Sequence, residues 1–312
     1  MTNPIWNNIN GYKTDAVFQL VNEYNNNKNL NKVNLCIGAY KTDNNEPYIL
    51  SCVQKAKNIL LNNNHEYSSI SGNQNFINLS IKFIFGQDIN MNNIIGVQTV
   101  SGTGACSLAC NFLKKIGYDK KIYVSNPTWG NHIPIIRNSN LQYEIYRYYN
   151  KDTASIDLHG MLLDIKKADD ESVILLHACA HNPSGIEPNQ NEWNEILQVI
   201  KEKNHTVFFD NAYQGFASGD YNIDAYAIRL FTENKINMLV AHSYSKNFGL
   251  YGERTGVLCI SNYDDITKNQ KILSVLKSLI RSSYSNPPIN GAKIVELILD
   301  NSNLFDLWKI EC

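Results

Sequence analysis

Short runs of β-branched and aromatic residues alternate with longer amphipathic stretches along most of this chain, and that alternation limits the fold more than any other feature. Candidate strands fall at 94–100, 121–125, 143–148, 172–177, 206–210, 237–242 and 256–260. Candidate helices fall at 51–62, 72–85, 104–116, 191–203 and 264–282. Within 104–116, Leu108, Phe112 and Ile116 share one helical face and Gly117 supplies the stop. Strands that alternate with helices predict an α/β fold with a mostly parallel central sheet covered on both faces. There is no internal repeat, and the Asn-rich segments 25–31 and 62–64 read as loops. Residues 1–45 carry little regular pattern and are expected to form an N-terminal arm and part of a small domain, with 46–312 as the large domain.

Composition narrows the function classes. The 312 residues suffice for one large α/β domain or two ordinary ones. At 43% hydrophobic and 18% charged, the chain suits a soluble globular protein. A net charge of -1 supplies no bulk basic field for nucleic acid or an anionic membrane, so neither partner is expected. The seven cysteines (36, 52, 106, 110, 179, 259, 312) contain no C-x-x-C pair, which predicts reduced thiols in a cytoplasmic protein and no metal site. The N-terminal Met-Thr-Asn-Pro-Ile-Trp has neither a basic n-region before an apolar run nor an Arg-rich character, so no signal or transit peptide is expected. No apolar stretch approaches the ~18 residues that span a bilayer.

In an open parallel sheet, ligands sit at the carboxyl ends of the strands. After the first candidate strand comes Ser101-Gly-Thr-Gly-Ala105, opening a helix: Gly102 permits close backbone approach, Ser101 and Thr103 offer hydroxyls, and the helix start offers free N–H groups to an anion. Such a turn is also a common helix cap, and alone it says little. Asp210 follows the strand at 206–209, with Tyr213 just beyond. Lys246 follows another strand, flanked by Ser243 and Ser245. Lysine is rarely buried unless paired or reacting, and a desolvated lysine becomes an amine nucleophile. Arg254 adds a fixed cation suited to a phosphate dianion. A phosphate cradle, an acid, a lysine and an arginine at strand ends are the groups that pyridoxal phosphate requires.

Longer matches give the set a family. Ala241-His-Ser-Tyr-Ser-Lys-Asn-Phe-Gly-Leu-Tyr-Gly-Glu-Arg254 closely resembles the lysine motif of the aspartate aminotransferase family, fold type I of the pyridoxal phosphate enzymes. So do Leu176-His-Ala-Cys-Ala-His-Asn-Pro-Ser-Gly185, Phe209-Asp-Asn-Ala-Tyr-Gln-Gly-Phe-Ala-Ser-Gly219, Asn34-Leu-Cys-Ile-Gly-Ala-Tyr40, His65-Glu-Tyr67, Asn126-Pro-Thr-Trp-Gly-Asn-His132 and Tyr284-Ser-Asn-Pro-Pro288. The resemblance runs in family order from about Asp15 to the end.

The resemblance implies a role for each matching residue. Lys246 would bond the cofactor aldehyde and later move the substrate proton. Asp210 would keep the ring nitrogen protonated, oriented by His132 and His177. Asn182 and Tyr213 would donate to the phenolate oxygen, Tyr213 being counted with the catalytic groups, and Trp129 would stack on the ring. Ser101, Gly102, Thr103, Ser243, Ser245 and Arg254 would bind the phosphate. Tyr67 would reach the neighbouring subunit's phosphate, which implies a homodimer with shared active sites. Gly38, Trp129, Asn182 and Arg281 would meet substrate, and the Arg281 guanidinium would take the side-chain carboxylate across the dimer. The implied activity is transfer of an amino group between L-aspartate and 2-oxoglutarate. Two alternatives stand beside it: an aromatic amino acid aminotransferase, and an impaired cofactor-binding remnant. The last arises because the resemblance places a second arginine, the clamp on the α-carboxylate, in small-domain sequence beyond Cys312, so the chain is expected to be C-terminally shortened. Cys36 and Ser184 depart from the family's usual residues without removing a catalytic group.

Overall fold

A computed structural model describes Gly11, residues 16–36 and residues 38–312. The hexapeptide 1–6, Asp15 and Ile37, named above, lie outside the described residues. The chain divides into two compact units, Met1–Tyr48 and Ile49–Cys312. In the first, α1 (Ala16–Asn26) forms where no regular element was expected, and a single bridge joins Lys41 to Pro47.

The second unit is built on seven strands: β1 (Ile94–Val100), β2 (Ile122–Asn126), β3 (Tyr143–Arg147), β6 (Val173–His177), β7 (Thr206–Asn211), β8 (Met238–Ser243) and β9 (Thr255–Ser261). A small hairpin, β4 (Tyr149–Asn150) with β5 (Ser155–Ile156), stands apart from them. The sheet order is β1-β9-β8-β7-β6-β2-β3. Every pairing from β8 to β3 is parallel, and β9 lies antiparallel to both of its neighbours. All seven predicted strands form and share this one mostly parallel sheet, which is helix-covered on both faces.

Alternation along the strands decides which helix lies on which face. In β1, Ile95 and Val97 face the core built on α4 (Ser101–Lys115), which also holds Leu276 and Ile280 of α10 (Asn269–Ser283). Gly96, between them, faces the other way: a Cβ there would lie 2.5 Å from Ile77 Cγ2 of α3 (Gln74–Phe85), so only glycine admits that helix so closely. In β7, Phe208 belongs to the α4 side. Its neighbour Phe209 packs against Trp193 of α7 (Gln190–Glu202) and Phe231 of α9 (Tyr226–Glu233). The helices α2 (Ser51–Ile59), α5 (His132–Asn138), α6 (Leu158–Lys167), α8 (Tyr221–Asp224), α11 (Asn290–Asp300) and α12 (Ser302–Glu311) complete the unit. Of these, only α2 was expected from the sequence.

One helix reaches behind the site. Trp308 of α12 is 1% exposed, stacks on Phe305 and Phe248 with centroids 5.4 and 5.0 Å away, and donates its indole N–H to the Asn247 carbonyl at 2.7 Å. That carbonyl is one residue past Lys246. Trp308→Ala is therefore expected to cost about 3–5 kcal/mol, as for other buried large-to-small aromatic truncations. Equilibrium unfolding in urea checks this, with no loss of stability as the contrary result.

Buried histidines set a second expectation. His242, in β8, is 0% exposed, and neither ring nitrogen finds a hydrogen-bond partner among the described residues. Its ring instead meets Tyr244 and Phe83 at 4.6 and 5.7 Å. Burial pushes its pKa down to about 3, and the same cause pushes His177 to about 3 and His181 to about 4. The unfolded chain binds these protons near pH 6.5 and the folded chain does not. Stability is thus fully present above about pH 6.5 and falls as pH drops from there toward 3. The slope approaches ~1.4 kcal/mol per pH unit for each histidine. His242→Gln should flatten the acid limb of the stability–pH profile relative to the parent chain.

Candidate active site

One edge of the sheet collects the chemistry, and strand direction explains why. β1, β2, β6, β7 and β8 all run the same way, so Ser101, Trp129, Asn182, Tyr213 and Lys246 each follow a strand's carboxyl end. β9 runs the opposite way, which brings its start to that same edge: Val100 pairs with Thr255, and Ser243 pairs with Gly256. Arg254, immediately before β9, therefore joins the group from the other chain direction.

Around α4 the residues form an anion cradle. The Ser101 hydroxyl lies 3.1 Å from that of Ser243 and 2.8 Å from that of Ser245, and Arg254 Nη1 donates to Ser245 Oγ at 3.4 Å. Gly102 and Thr103 follow in the first turn of the helix, where N–H groups have no partner within the helix. Val100, at the cap position, offers no side-chain oxygen to them. Gly102 is needed for closeness, since a Cβ there would stand 3.0 Å from Ser243 Cβ. Gly256 is needed for the same reason, its Cβ falling 2.6 Å from the Ser101 carbonyl carbon. Ser101 and Arg254 hold φ of 62° and 51°, left-handed conformations that non-glycine residues adopt at a cost.

Asp210, near the carboxyl end of β7, is 8% exposed. Its Oδ2 is 3.0 Å from His132 Nε2, and His132 Nδ1 is 2.8 Å from the Thr128 hydroxyl. Burial by itself would raise the Asp210 carboxyl. The hydrogen bond and charge of His132, with His177 and Lys246 beyond, outweigh burial and hold it below the usual carboxylate value. Trp129 stands edge-on to His132, with centroids 5.1 Å apart, and His177 lies 5.3 Å from His132. Burial lowers the pKa of the Lys246 amine; Asp210 opposes that shift and Arg254 adds to it. The amine lies 5.5 Å from the Tyr213 ring centroid, and Asn182 Nδ2 donates to the Tyr213 hydroxyl at 3.5 Å.

Eleven of the expected residues thus converge: Ser101, Gly102, Thr103, Trp129, Asn182, Asp210, Tyr213, Ser243, Ser245, Lys246 and Arg254. Tyr67 and Arg281 do not join them. They line a separate open groove of about 890 Å³ together with Asn286 and Pro287. Tyr67 is 84% exposed there, and Arg281 donates to Ser285. Gly38 belongs to the first compact unit, with open space around it.

Sequence reading missed Thr128, whose spacing of four from His132 on the approach to α5 was the available signal. It also missed Cys106, enclosed on the second turn of α4 beside Asp210. The donor set fits pyridoxal phosphate: hydroxyls, a helix start and a guanidinium for the phosphate, a partly desolvated amine for the aldehyde, and a buried ionised carboxylate for the ring nitrogen.

The comparisons agree with this geometry. The family model for aminotransferase class I and II matches residues 31–309. The chain is 41% identical to the mitochondrial aspartate aminotransferase of Gallus gallus, over 98% of this chain and 74% of that protein. Among solved structures, the broad specificity aminotransferase of Leishmania mexicana superposes with a TM-score of 0.96 at 44% identity, covering 100% of this chain and 78% of that one. The cytoplasmic aspartate aminotransferase of Saccharomyces cerevisiae gives 0.96 at 39% identity, covering 98% and 77%. An aromatic amino acid aminotransferase from Burkholderia cenocepacia gives 0.94 at 31%, covering 98% and 78%. Matched along nearly its whole length, the chain belongs to the class I and II aminotransferases, pyridoxal phosphate-dependent transferases of fold type I that act on amino and keto acids.

Proposed function

We propose that the chain moves an amino group from L-aspartate to 2-oxoglutarate in two half-reactions, releasing oxaloacetate and then L-glutamate. The observation that carries the chemistry is that Lys246 and Asp210 follow neighbouring strand ends closely enough for each charge to act on the other, with the hydroxyls of Ser101, Ser243 and Ser245 gathered nearby. The choice of aspartate rests on Arg281 in its open groove and on relatives named as aspartate aminotransferases.

When bound, pyridoxal phosphate supplies an aldehyde and a ring that accepts the electron pair left on the substrate α-carbon. This chain's residues do the rest. Lys246 would hold the aldehyde and, as a free amine, would serve as the base that takes the α-proton. Burial lowers its pKa and so favours the neutral amine which that role needs. Asp210 keeps a proton on the ring nitrogen, and His132 keeps Asp210 charged and oriented. Tyr213 and Asn182 donate to the phenolate oxygen. Trp129 would stack on the ring and, with Asn182, would bound the substrate. Ser101, Gly102, Thr103, Ser243, Ser245 and Arg254 grip the phosphate.

In this reading two copies pair, and Tyr67 and Arg281 of each serve the other's site. Their gathering in a groove apart from the Lys246 group supports that arrangement. Residues 46–312 act as the cofactor-binding domain, and 1–45 as the arm with part of the small domain. Seven unpaired cysteines support a reducing compartment, for which we take the cytoplasm. Among the described residues, no helix is long and apolar enough to cross a membrane.

A broader specificity is the second reading, favoured by the 44% identity to a relative named for broad specificity. Arg281→Ala separates the two. Losing one charge-paired guanidinium removes roughly 2–5 kcal/mol, so kcat/KM for aspartate should fall by ~30-fold or more. The value for phenylalanine should stay within a few-fold. Equal losses for both substrates would remove Arg281 from the substrate reading.

Lys246→Ala tests the chemistry itself. It should abolish the pH-dependent absorbance of the bound cofactor and lower the rate of aspartate half-transamination by roughly 10⁴-fold. A variant that still converts added pyridoxal phosphate to the pyridoxamine form at the parent rate would end the assignment.

A further inference from the structure

Cys106 is a polar neighbour of Asp210 that the proposed reaction leaves idle. It sits on the second turn of α4 and is 1% exposed. Its Sγ, a ring nitrogen of His132 and a carboxylate oxygen of Asp210 all lie within 4.8 Å of one another. All three side chains are buried, at 1%, 1% and 8% exposure. Thiolate, imidazole and carboxylate together are a zinc-type donor set, and three protein ligands leave one position open.

The separation of His132 from Asp210 is close to that of two ligands on one ion. With bonds of about 2.0–2.3 Å, neighbouring ligand atoms on a tetrahedral centre stand roughly 3.3–3.6 Å apart. His132 Nε2 and Asp210 Oδ2 are now 3.0 Å apart, so admitting an ion asks them to part by a few tenths of an ångström. The surroundings are also those of a metal ligand. With a metal bound, the Thr128 hydroxyl at 2.8 Å from Nδ1 would accept a hydrogen bond from a proton on that nitrogen and leave Nε2 free to coordinate, which is how ligating histidines are oriented. His177, with both ring nitrogens unpartnered among the described residues, packs 5.3 Å from the His132 ring and adds no competing cation when neutral.

We propose that Cys106, His132 and Asp210 form a transition-metal site of zinc type in the cofactor-free protein, and that metal and pyridoxal phosphate exclude each other there. The exclusion rests on the reading above, in which Asp210 serves the cofactor ring nitrogen. Binding releases one proton, from the Cys106 thiol, whose lone pair goes to the ion. The imidazole proton moves from Nε2 to Nδ1, and nothing is oxidised or reduced. The site would make apoprotein sensitive to free zinc, and cofactor loading protective.

The full chain, freed of cofactor, is titrated with Zn²⁺ against a chromophoric chelator, and with Co²⁺ while the near-ultraviolet thiolate-to-cobalt band is followed. One equivalent should bind and give the band. Cys106→Ser should lose the band and bind Zn²⁺ about 100-fold more weakly or worse, and His132→Gln should weaken binding similarly, with thermal melts confirming that both variants fold. Protein saturated with pyridoxal phosphate should take up no such equivalent. Unchanged affinity in both variants would overturn the site. Binding through Cys106 that persists at full cofactor occupancy would keep the site but overturn the exclusion, and with it the placement of the ring nitrogen on Asp210.

Discussion

A carboxylate kept ionised inside the protein is the constraint on which the rest of the site depends. Burial favours the neutral form of Asp210, and its pKa nonetheless lies below the ordinary value because His132 hydrogen-bonds to it at 3.0 Å. A buried charge without a partner costs several kcal/mol, so His132 must be held in place as firmly as the acid itself. Thr128 fixes its far nitrogen, Trp129 closes one edge and His177 lies beside it. The Lys246 amine feels the same balance from the other side. Burial lowers its pKa, while the charge on Asp210 raises it again in part. Acid and amine are therefore tuned as a pair rather than one at a time.

The reversed strand β9 is what lets a phosphate be gripped from two chain directions. Had β9 run parallel to β8, its start would lie at the far edge and Arg254 with it. Antiparallel pairing instead sets Thr255 opposite Val100 and Gly256 opposite Ser243, so the guanidinium, three serine hydroxyls and the α4 start share one small volume. The glycines at 102 and 256 remove the Cβ atoms that would keep those segments apart. Topology, rather than local sequence, makes the cradle.

The sheet was readable because buried strands leave continuous apolar, β-branched runs, as in β6, β7 and β8, while the edge strand β3 shows only Tyr146 buried. The site was readable where chemistry sits at a strand's end, as at Asp210 and Lys246. Helices such as α5 and α8 are short and cap loops, so their apolar periodicity is too brief to register against the surrounding turns. Helices α11 and α12 are longer, and their roles come from partners distant in sequence: Gly291 meets Thr255, and Trp308 reaches the Asn247 carbonyl. Cys106 was illegible for a related reason. Its donors come from positions 106, 132 and 210, which no local spacing connects, and only the fold sets them within 4.8 Å.

The α4 start also shows where the protein stores its affinity. A side-chain cap ordinarily contributes about 1 kcal/mol to a helix, and Val100 provides none. Ser101, at φ 62°, gives up a relaxed backbone, worth roughly 1–3 kcal/mol, to turn its hydroxyl toward Ser243 and Ser245. Arg254, at φ 51°, makes a similar sacrifice. These costs fall on the cofactor-free protein and are offset when an anion meets the waiting N–H groups, hydroxyls and guanidinium. Binding and folding are thereby linked: an anion that prefers the folded form stabilises it by an amount that grows with the logarithm of its concentration relative to Kd. The cradle is preorganised at the expense of local stability, so the phosphate does not have to order it on arrival.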